Sequence, residues 1–519
     1  MLSAHPIADA KPTSRRRWPA DILAFVAGAS LTLNFAPFDL WMVGLLGAAI
    51  FAHLLPGQPN KRVWWRSFVF GLGMFGGGVS WVYVSIHDFG FTGAFLAAFM
   101  TAVFVAFLAL VFSLPFLAYR RWQTITPVTL LLVFPAVWVL GEWSRSWFLT
   151  GFPWLYFGYG HIGSPLAGWA PVGGVYAVSF IAVFTATAIG FIGRRALPFW
   201  QAQKFGWRFG AVLTGLCTLL WGAGLALQQV RWTHHNDTDQ LTVSLVQPNI
   251  PLELKWNPLY RPQIVRTLLE LTEPEWQSDI VLWPEAAIPY LYHDAKGLLD
   301  ELETRAQDTN TALISGLLFD DIEHDTYFNA ILGLGTAHNM YFKQRLVPFG
   351  EYMPLEKWLR GLIAFFDLPN SVINRGPANQ TGLQVGGYSV APYICYEVVY
   401  PDLVASNLNG AEVIVTISND AWFGRSIGPL QHYQMAQMRA LETGRYVIRG
   451  TNTGLSGIID PRGRTIASGQ QFISQSLRGH VYRMHGTTPF TQTGSWPIVL
   501  LGLFLLGLAN FGKRILFAR

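Results

Sequence analysis

The sequence has little cysteine and little charge. Only two of its 519 residues are cysteines, Cys217 and Cys395, and Cys217 lies in a long apolar run, so a disulfide framework is excluded. Charged residues make up 13% of the chain, which is roughly half the share usual for globular proteins. The apolar residues concentrate in the first 230 or so positions and in the last 25 or so. We therefore expect a membrane-embedded part and a water-soluble part.

Eight apolar runs are long enough to be membrane-spanning helices. The first two are short, and Pro37, Phe38 and Asp39 between them predict a tight turn. The predicted spans are residues 20–36, 39–55, 68–87, 92–117, 126–141, 171–193, 209–228 and 495–512. They divide the chain into a seven-helix region (residues 1–228), an external domain (229–494) and a C-terminal span (495–519).

Lysine and arginine residues occur in every second loop between these runs, which predicts the orientation of the spans. The basic residues are Arg15, Arg16, Arg17, Lys61, Arg62, Arg66, Arg120, Arg121, Arg194, Arg195, Lys204, Arg208, Lys513, Arg514 and Arg519, and Arg145 is the one exception on the opposite side. Both termini are then cytoplasmic and residues 229–494 are outside. The net charge of +5 is explained by these loops and indicates no nucleic-acid partner. A cleaved signal peptide is the alternative for the N-terminus, but no small-residue cleavage pattern follows the first run.

From Leu241 onward, short β-type runs alternate with amphipathic helical segments. The predicted strands are residues 241–246, 279–283, 312–317, 328–334, 339–345, 390–394, 412–417 and 447–459, and the predicted helices are 260–271, 296–308 and 431–443. Interleaved helices and strands predict layered α/β packing. In this region we find no phosphate-binding loop, no dinucleotide-binding glycine pattern, and no histidine or cysteine spacing typical of zinc sites. We therefore expect neither a metal nor a cofactor.

Three residues with reactive or charged side chains lie at the ends of predicted strands. Glu285 follows Trp283 and Pro284, Lys343 lies among apolar neighbours, and Cys395 ends an apolar strand. Each also has an explanation without a catalytic role. Glu285 fits a surface carboxylate, Lys343 fits an edge-strand lysine that prevents aggregation, and Cys395 fits a small core side chain. Together they form a set with one chemistry, because a carboxylate accepts a proton, a thiolate attacks a carbonyl, and a cation holds the negative charge that develops. A helix that begins just after Cys395 is also expected to lower its pKa.

The segments LWPEAAIP, YFKQRLVPFGEYMP and ICYEVVYPDL resemble, in this order, the Glu, Lys and Cys motifs of the nitrilase, or carbon-nitrogen hydrolase, superfamily. The block from TISNDAWFG to QHYQMAQMRALETGRYVIRGTNTGLSGIIDPRG resembles the family's downstream segment. The resemblance covers about half the chain, and the eight spans are similar to those of a membrane-embedded acyltransferase branch of the superfamily. None of the three catalytic positions departs from the family pattern.

The resemblance implies an α-β-β-α sandwich fused to a membrane bundle of about eight helices, and a ping-pong reaction. Glu285 is then the general base, Cys395 the nucleophile, and Lys343 holds the oxyanion with the backbone N–H of Tyr396. The implied acyl donor is a phospholipid such as phosphatidylethanolamine, cleaved at its sn-1 ester. The implied acceptor is the amine of a diacylglyceryl-cysteine in a lipoprotein. The resemblance further implies a monomer in the bacterial inner membrane, with the catalytic domain in the periplasm.

Six further residues are candidates for supporting or substrate-binding roles. Glu351 and Glu397 are expected to orient Lys343 or Glu285, and Asn419 and Trp422 are expected along the cleft. Trp256 and Trp154 are candidates to line the lipid path, although tryptophan is enriched at membrane interfaces whatever the substrate. Residues 355–370, LEKWLRGLIAFFDLPN, fit either an interfacial lid or an ordinary core helix.

Two other functions are compatible with parts of the sequence. A membrane-tethered amidase would keep the same site and use water as the second nucleophile, but eight spans exceed what a tether requires. A transporter or lipid-binding sensor would lack catalysis, and both the intact Glu, Lys and Cys set and the few ionisable residues in the spans disfavour it.

Overall fold

A computed structural model describes residues 18–119, 127–194, 207–352 and 373–517. The predicted lid at 355–370 lies outside the described residues. So do eight of the basic residues used to orient the spans, namely Arg15, Arg16, Arg17, Arg120, Arg121, Arg195, Lys204 and Arg519, and the side chains of Arg194, Lys513 and Arg514.

The helices of the described residues include long apolar segments, mostly before residue 228, and shorter amphipathic ones after it. They are α1 (Trp18–Ser30), α2 (Trp41–Leu54), α3 (Asn60–Gly78), α4 (Trp81–Val84), α5 (Ala94–Tyr119), α6 (Pro127–Ser144), α7 (Ala170–Arg194), α8 (Trp207–Leu227), α9 (Leu252–Lys255), α10 (Arg261–Thr272), α11 (Lys296–Asp308), α12 (Pro401–Asn407), α13 (Gly428–Thr443), α14 (Pro489–Thr493) and α15 (Trp496–Phe517).

Three helical segments of the described residues are long and apolar enough to cross a membrane: Ala94–Tyr119, Pro165–Ile192 and Arg208–Leu227. A fourth candidate is the pair Asn60–Gly78 and Trp81–Phe89, which is bent by 55°. Three further apolar helices, Trp41–Leu54, Leu131–Ser144 and Trp496–Asn510, are shorter. A helical region with apolar helices is therefore present, while the predicted count of eight spans stays a prediction.

The apolar helices contact one another through small residues and present large apolar side chains outward. A Cβ built on Gly28 of α1 would lie 2.0 Å from the backbone oxygen of Phe70 in α3, so only glycine permits this close approach. Phe95 on α5, Leu219 on α8 and Phe504 on α15 are exposed, as expected for side chains that contact lipid.

The strands of the described residues form two main sheets and one short pair. The strands are β1 (Thr233–His234), β2 (Gln240–Gln247), β3 (Ile280–Leu282), β4 (Ala312–Asp321), β5 (Thr326–Gly335), β6 (Ala337–His338), β7 (Met340–Phe342), β8 (Leu383–Val385), β9 (Tyr388–Ile394), β10 (Val413–Ser418), β11 (Val447–Thr451), β12 (Gly457–Ile459), β13 (Thr465–Ser468), β14 (Gln475–Tyr482) and β15 (His485–Gly486). One sheet has the order β14-β2-β3-β4-β5-β7, and the other has the order β13-β12-β11-β10-β9-β8-β6. β1 pairs with β15.

The two sheets pack face to face with helices outside each. Val243, Leu282 and Ile314 of one sheet share a buried cluster with Ile394 and Val415 of the other. The opposite face of the first sheet packs on α10 and α11. The opposite face of the second sheet packs on α12 and α13, and this outer layer belongs to the same apolar core as the membrane helices. The expected α-β-β-α layers are thus present.

Most predicted elements of the external domain coincide with observed ones, including the helix Lys296–Asp308 at both ends. The continuous strand predicted over 447–459 is wrong. Residues 452–456 form a turn, and β11 and β12 pair antiparallel across it. Asn452, Thr453 and Gly454 are typical turn residues, and Gly454 lies so close to Asp420 that a Cβ would be 2.6 Å from its carboxylate.

Candidate active site

The predicted reactive residues meet because they follow strands that end at the same edge of the sandwich. β2, β3 and β4 are parallel, as are β9, β10 and β11. β7 runs in the direction of β4, because β5 is antiparallel to both. Glu285 follows β3, Lys343 follows β7, and Cys395 follows β9. The carboxyl ends of parallel strands are the usual place for catalytic groups in open α/β sheets.

Glu285 is buried and held by donors on both carboxylate oxygens. Its Oε1 accepts hydrogen bonds from Asn329 at 2.8 Å and from the Lys343 ammonium at 3.3 Å, and its Oε2 accepts one from the backbone N–H of Asn419 at 2.7 Å. Burial alone would raise the pKa of Glu285, but the Lys343 charge and these hydrogen bonds outweigh it, so the pKa is lowered. Glu285 is therefore ionised and able to accept a proton.

Lys343 lies between two carboxylates. Its Nζ is 2.8 Å from Oε1 of Glu351 and 3.3 Å from Oε1 of Glu285, and its side chain is 1% exposed. Burial opposes the charge, but the two carboxylates outweigh it and raise the pKa of Lys343 well above its ordinary value. Glu351 in turn accepts hydrogen bonds from Asn329 and from the backbone N–H of Val347. The prediction that Glu351 orients Lys343 agrees with this geometry.

Cys395 has an unusual backbone conformation. Its φ is +50°, in the left-handed region that a non-glycine residue adopts only when its surroundings require it. The strand stops there and a short 3₁₀ helix, Cys395–Val399, begins. Nε2 of His432 donates a hydrogen bond to the Cys395 carbonyl at 3.1 Å, since a carbonyl can only accept. This sharp turn from strand to helix presents the thiol at the edge of the sheet.

The expected lowering of the Cys395 pKa is wrong. Burial and the negative charge of Glu285 raise the pKa of the thiol, and the positive charge of Lys343 only partly offsets them. The start of a short helix does not outweigh these effects. The resting site consequently contains a neutral thiol beside an ionised carboxylate, which is the pair that general-base catalysis requires.

Glu397 is fully buried and joins the Cys and Lys motifs. Its Oε1 accepts hydrogen bonds from the Tyr341 hydroxyl and from the backbone N–H groups of Gln344 and Arg345. Its Oε2 accepts one from the N–H of Ile394. Burial raises the pKa of Glu397 to about 7 although these donors oppose the shift. Glu397 thus positions the backbone beside Lys343 rather than its ammonium.

The other predicted site residues divide between the site and its borders. Asn419 contacts Glu285 through its backbone, and its side chain accepts a hydrogen bond from Asn452. Tyr396 is buried, and its hydroxyl donates to the carbonyl of Gly151 in the loop after α6. Trp422 is half-buried against Phe89, and its carbonyl accepts from Ser85.

Trp154 does not line an open path in the described residues. It is 1% exposed and packs against Trp81, Phe152 and Phe423, while its indole N–H donates to Gln431 of α13 at 2.7 Å. It therefore joins the helical region to the sandwich. Trp256, in contrast, is half-buried and directly follows a lysine that belongs to the site.

Lys255 is the site residue that the sequence patterns missed. It ends α9, which follows β2, and its Nζ donates a hydrogen bond to the backbone carbonyl of Glu285 at 2.9 Å. The predicted strand 241–246 ends nine residues before Lys255, so no motif at a strand end marks this lysine. A second missed group lies behind Cys395. Asp420 forms an ion pair with Arg449 and contacts Nδ1 of His432 at 3.1 Å, and all three side chains are buried. Burial and the Arg449 charge lower the pKa of His432, so its ring is neutral.

Two family models match the chain. The model described as the apolipoprotein N-acyltransferase N-terminal domain matches residues 27–188, and the model described as carbon-nitrogen hydrolase matches residues 242–481. A relative from Pseudomonas aeruginosa (strain LESB58), named apolipoprotein N-acyltransferase, is 44% identical over 509 residues, covering 97% of this chain and 98% of the relative. A relative of the same name from Vibrio vulnificus (strain CMCP6) is 38% identical over 517 residues, which cover 97% of this chain and 99% of the relative. Among solved structures, Saccharomyces cerevisiae Nit3, a nitrilase superfamily member, is 18% identical, with a TM-score of 0.37 over 47% of this chain and 90% of Nit3.

Proposed function

The chain belongs to the apolipoprotein N-acyltransferase family, and we propose that it transfers the sn-1 acyl chain of a phospholipid to the N-terminal amine of a lipoprotein by way of a thioester on Cys395. Family membership makes it an acyltransferase of lipoprotein maturation with a carbon-nitrogen hydrolase domain. The observation that carries the finer proposal is the arrangement of an ionised Glu285, a paired Lys343 and a neutral Cys395 thiol at one sheet edge.

In the first half-reaction, Glu285 takes the thiol proton as the Cys395 sulfur attacks the sn-1 ester carbon. The negative charge moves from the carboxylate to the ester oxygen, where the Lys343 ammonium and the backbone N–H of Tyr396 stabilise it. The carbon-oxygen bond then breaks. Glu285 returns the proton to the departing oxygen, lysophospholipid leaves, and a thioester remains on Cys395.

In the second half-reaction, the neutral α-amine of a diacylglyceryl-cysteine attacks the thioester carbon. Glu285 takes one proton from the attacking nitrogen and gives it to the Cys395 sulfur as the carbon-sulfur bond breaks. The same oxyanion donors act in both halves, so one site serves two acyl transfers.

Two arginines near the site support a donor with a phosphate group. Arg345 lies two residues after Lys343 and stacks over the ring of Tyr400 at 5.1 Å. Arg375 donates a hydrogen bond to the carbonyl of Gln344 at 2.7 Å. Neither forms an ion pair within residues 18–119, 127–194, 207–352 and 373–517, and a guanidinium is well suited to bind an anionic group. A phospholipid phosphate has the matching charge.

We also propose the arrangement in the membrane. Residues 1–228 contribute seven spans and residues 495–519 an eighth, with both termini cytoplasmic and the catalytic domain, residues 229–494, in the periplasm. Two lipid-anchored substrates exist only in the bilayer, so a site that acts on both must lie at the membrane surface. The shared apolar core of the helical region and the outer layer of the sandwich fits this placement. We further propose that the protein works as a monomer.

A reconstituted transfer assay tests this function. Vesicles containing the purified protein receive phosphatidylethanolamine labelled in either the sn-1 or the sn-2 chain, together with a diacylglyceryl-cysteine peptide. We expect the peptide to gain the label only from the sn-1 donor, and a peptide with a blocked N-terminus to gain none.

Other outcomes would favour the two alternatives. Release of labelled fatty acid to water at the same rate with and without the peptide would indicate a hydrolase of the amidase type. Binding of the labelled lipid without turnover would indicate a lipid-binding protein.

A further inference from the structure

Lys255 occupies a place in the site that the two half-reactions above do not use. It ends α9, which follows the carboxyl end of β2, and β2 is the parallel neighbour of β3, after which Glu285 projects. The segment that carries it is fixed by Asn452, which accepts from the backbone N–H of Ile250 and donates to its carbonyl. Lys255 therefore lies in a segment that is fixed by hydrogen bonds, and its side chain is buried and not exposed to solvent.

The Lys255 side chain is buried without an ion-pair partner in the described part of the chain. It is 3% exposed, and its one hydrogen bond goes to a neutral carbonyl, that of Glu285. An ammonium in such a place loses its hydration without a carboxylate to replace it. Burial lowers the pKa of Lys255 to about 8, and the charge of Glu285 opposes the shift only in part. Lys343 differs, since two carboxylates hold its proton.

The second half-reaction, as described above, starts from the neutral amine of the acceptor. The α-amine of a peptide has an ordinary pKa of about 7.7 to 8.0, so near neutral pH most acceptor molecules are ammonium ions. The ammonium must lose one proton before its nitrogen can attack and a second after the new bond forms. Glu285 carries the second proton to the Cys395 sulfur. A base at the site that takes the first proton would let the abundant ammonium form of the acceptor react as well.

We propose that the neutral amine of Lys255 takes this first proton from the α-ammonium of the acceptor and then releases it to water. The proposal rests on the proposed function, because it concerns the second substrate of that reaction. In the step, one N–H bond of the acceptor breaks and one forms on Nζ of Lys255, and no other bond changes. Lys255 suits this transfer because its pKa and that of the acceptor amine are nearly equal. The other two groups that face Lys255, Glu285 and Cys395, already take part in the acyl transfer itself.

The test measures the two half-reactions separately in two variants, Lys255→Met and Lys255→Arg. The acyl-enzyme is formed with phosphatidylethanolamine, freed of excess donor and mixed with a diacylglyceryl-cysteine peptide between pH 6.5 and 9.5, and thioester loss is followed by intact mass. Hydroxylamine, a nucleophile that is neutral at pH 7, is used in a parallel reaction. Lys296→Met replaces an exposed lysine in the same way and is the matched control.

We expect both Lys255 variants to form the acyl-enzyme and to transfer it to the peptide roughly 10- to 100-fold more slowly at pH 7. The arginine variant should fail like the methionine variant because a guanidinium keeps its proton. The deficit should shrink as the pH rises above that of the acceptor amine, and hydroxylamine should discharge variant and wild-type thioesters at equal rates.

Three results would overturn the proposal. A loss of equal size with hydroxylamine, or at every pH, would mean that Lys255 only supports the Glu285 loop. Unchanged transfer would mean that it has no role. Absence of the acyl-enzyme in the wild-type protein would contradict the proposed function as well, and is distinguishable because Lys255 enters only after the thioester exists.

Discussion

Lys343 is the residue whose charge determines the state of the site. It lies within hydrogen-bond distance of Glu285 and Glu351, and both carboxylates are largely removed from water. A buried ion pair costs desolvation that its own attraction has to offset. In the proposed mechanism, the pair keeps Glu285 ionised and ready to take the Cys395 proton, so the electrostatic cost serves the chemistry.

Lys343→Met is expected to lose both activity and stability. Without the ammonium, two carboxylates lie unpaired in a buried site, the pKa of Glu285 rises, and the free energy of unfolding falls by about 3–5 kcal/mol. Lys343→Arg keeps the charge, but we expect it to be inactive because a planar fork does not replace a compact ammonium between two carboxylates. Denaturant unfolding in detergent and the transfer assay measure the two effects. Full activity of the arginine variant would contradict the role assigned to the ammonium.

Glu397 provides a prediction of pH dependence. Its pKa is 4.5 in an unperturbed chain and about 7 in the folded protein. Between these values the folded protein binds a proton that the unfolded chain has released, so this contribution to stability is complete below pH 4.5 and is lost as the pH rises through 7. Glu397→Gln removes the titration. Thermal unfolding should therefore depend less on pH between about 4.5 and 7 in the variant, and parallel profiles for both proteins would contradict the assignment.

At the scale of elements, the broken helix α7 connects the membrane region to the catalytic domain. The backbone leaves helical geometry at Gly173 and Gly174, and the N–H of Val175 donates to the carboxylate of Glu442 in α13 at 2.7 Å. Glu442 also pairs with the buried Arg439. α13 in turn carries His432, which holds the Cys395 carbonyl. The break in α7 is thereby linked to the nucleophile through a single helix.

Gly174→Ala tests this junction. Gly174 has a φ of +66°, and a Cβ would lie 2.4 Å from the Phe490 ring of α14, so the alanine strains both the backbone and the packing. We expect the free energy of unfolding to fall by about 1–3 kcal/mol and transfer activity to fall with it. Gly163→Ala is the matched control because no atom lies within 4 Å of its added Cβ. Equal unfolding midpoints for the two variants would contradict a tight junction.

At the scale of the whole molecule, the proposed topology places the sandwich on one side of the membrane. Leu259, in the segment after Lys255, is 86% exposed, and Asn60 lies at the start of α3 in a loop expected on the other side. A membrane-impermeant maleimide should label Leu259→Cys in intact spheroplasts, but should label Asn60→Cys only after permeabilisation. The reverse pattern would invert the topology, and labelling of both in intact cells would reject it.

Layered α/β packing and the three candidate reactive residues could be predicted from the sequence because each signal was local, whereas the sandwich was implied by the family resemblance. Glu285, Lys343 and Cys395 stand at strand ends inside long specific motifs, and most strands and helices have clear periodicity. Lys255 was missed because its role depends on two parallel strands lying side by side, which no local pattern states. The direction of the Cys395 pKa shift was wrong for a related reason, since burial and the Glu285 charge arise only from the packed structure. The turn at Asn452 follows from its residues, since Asn, Thr and Gly favour turns over strands.

The thioester is the central claim, and intact mass spectrometry tests it most directly. The purified protein is incubated with phosphatidylethanolamine of one defined sn-1 chain, measured intact, treated with hydroxylamine and measured again, with Cys395→Ser in parallel. We predict a mass gain of one acyl chain that maps to Cys395, disappears with hydroxylamine and is lost with a diacylglyceryl-cysteine peptide as the acylated peptide appears. No acyl adduct on Cys395, while the peptide is still acylated, would contradict the account.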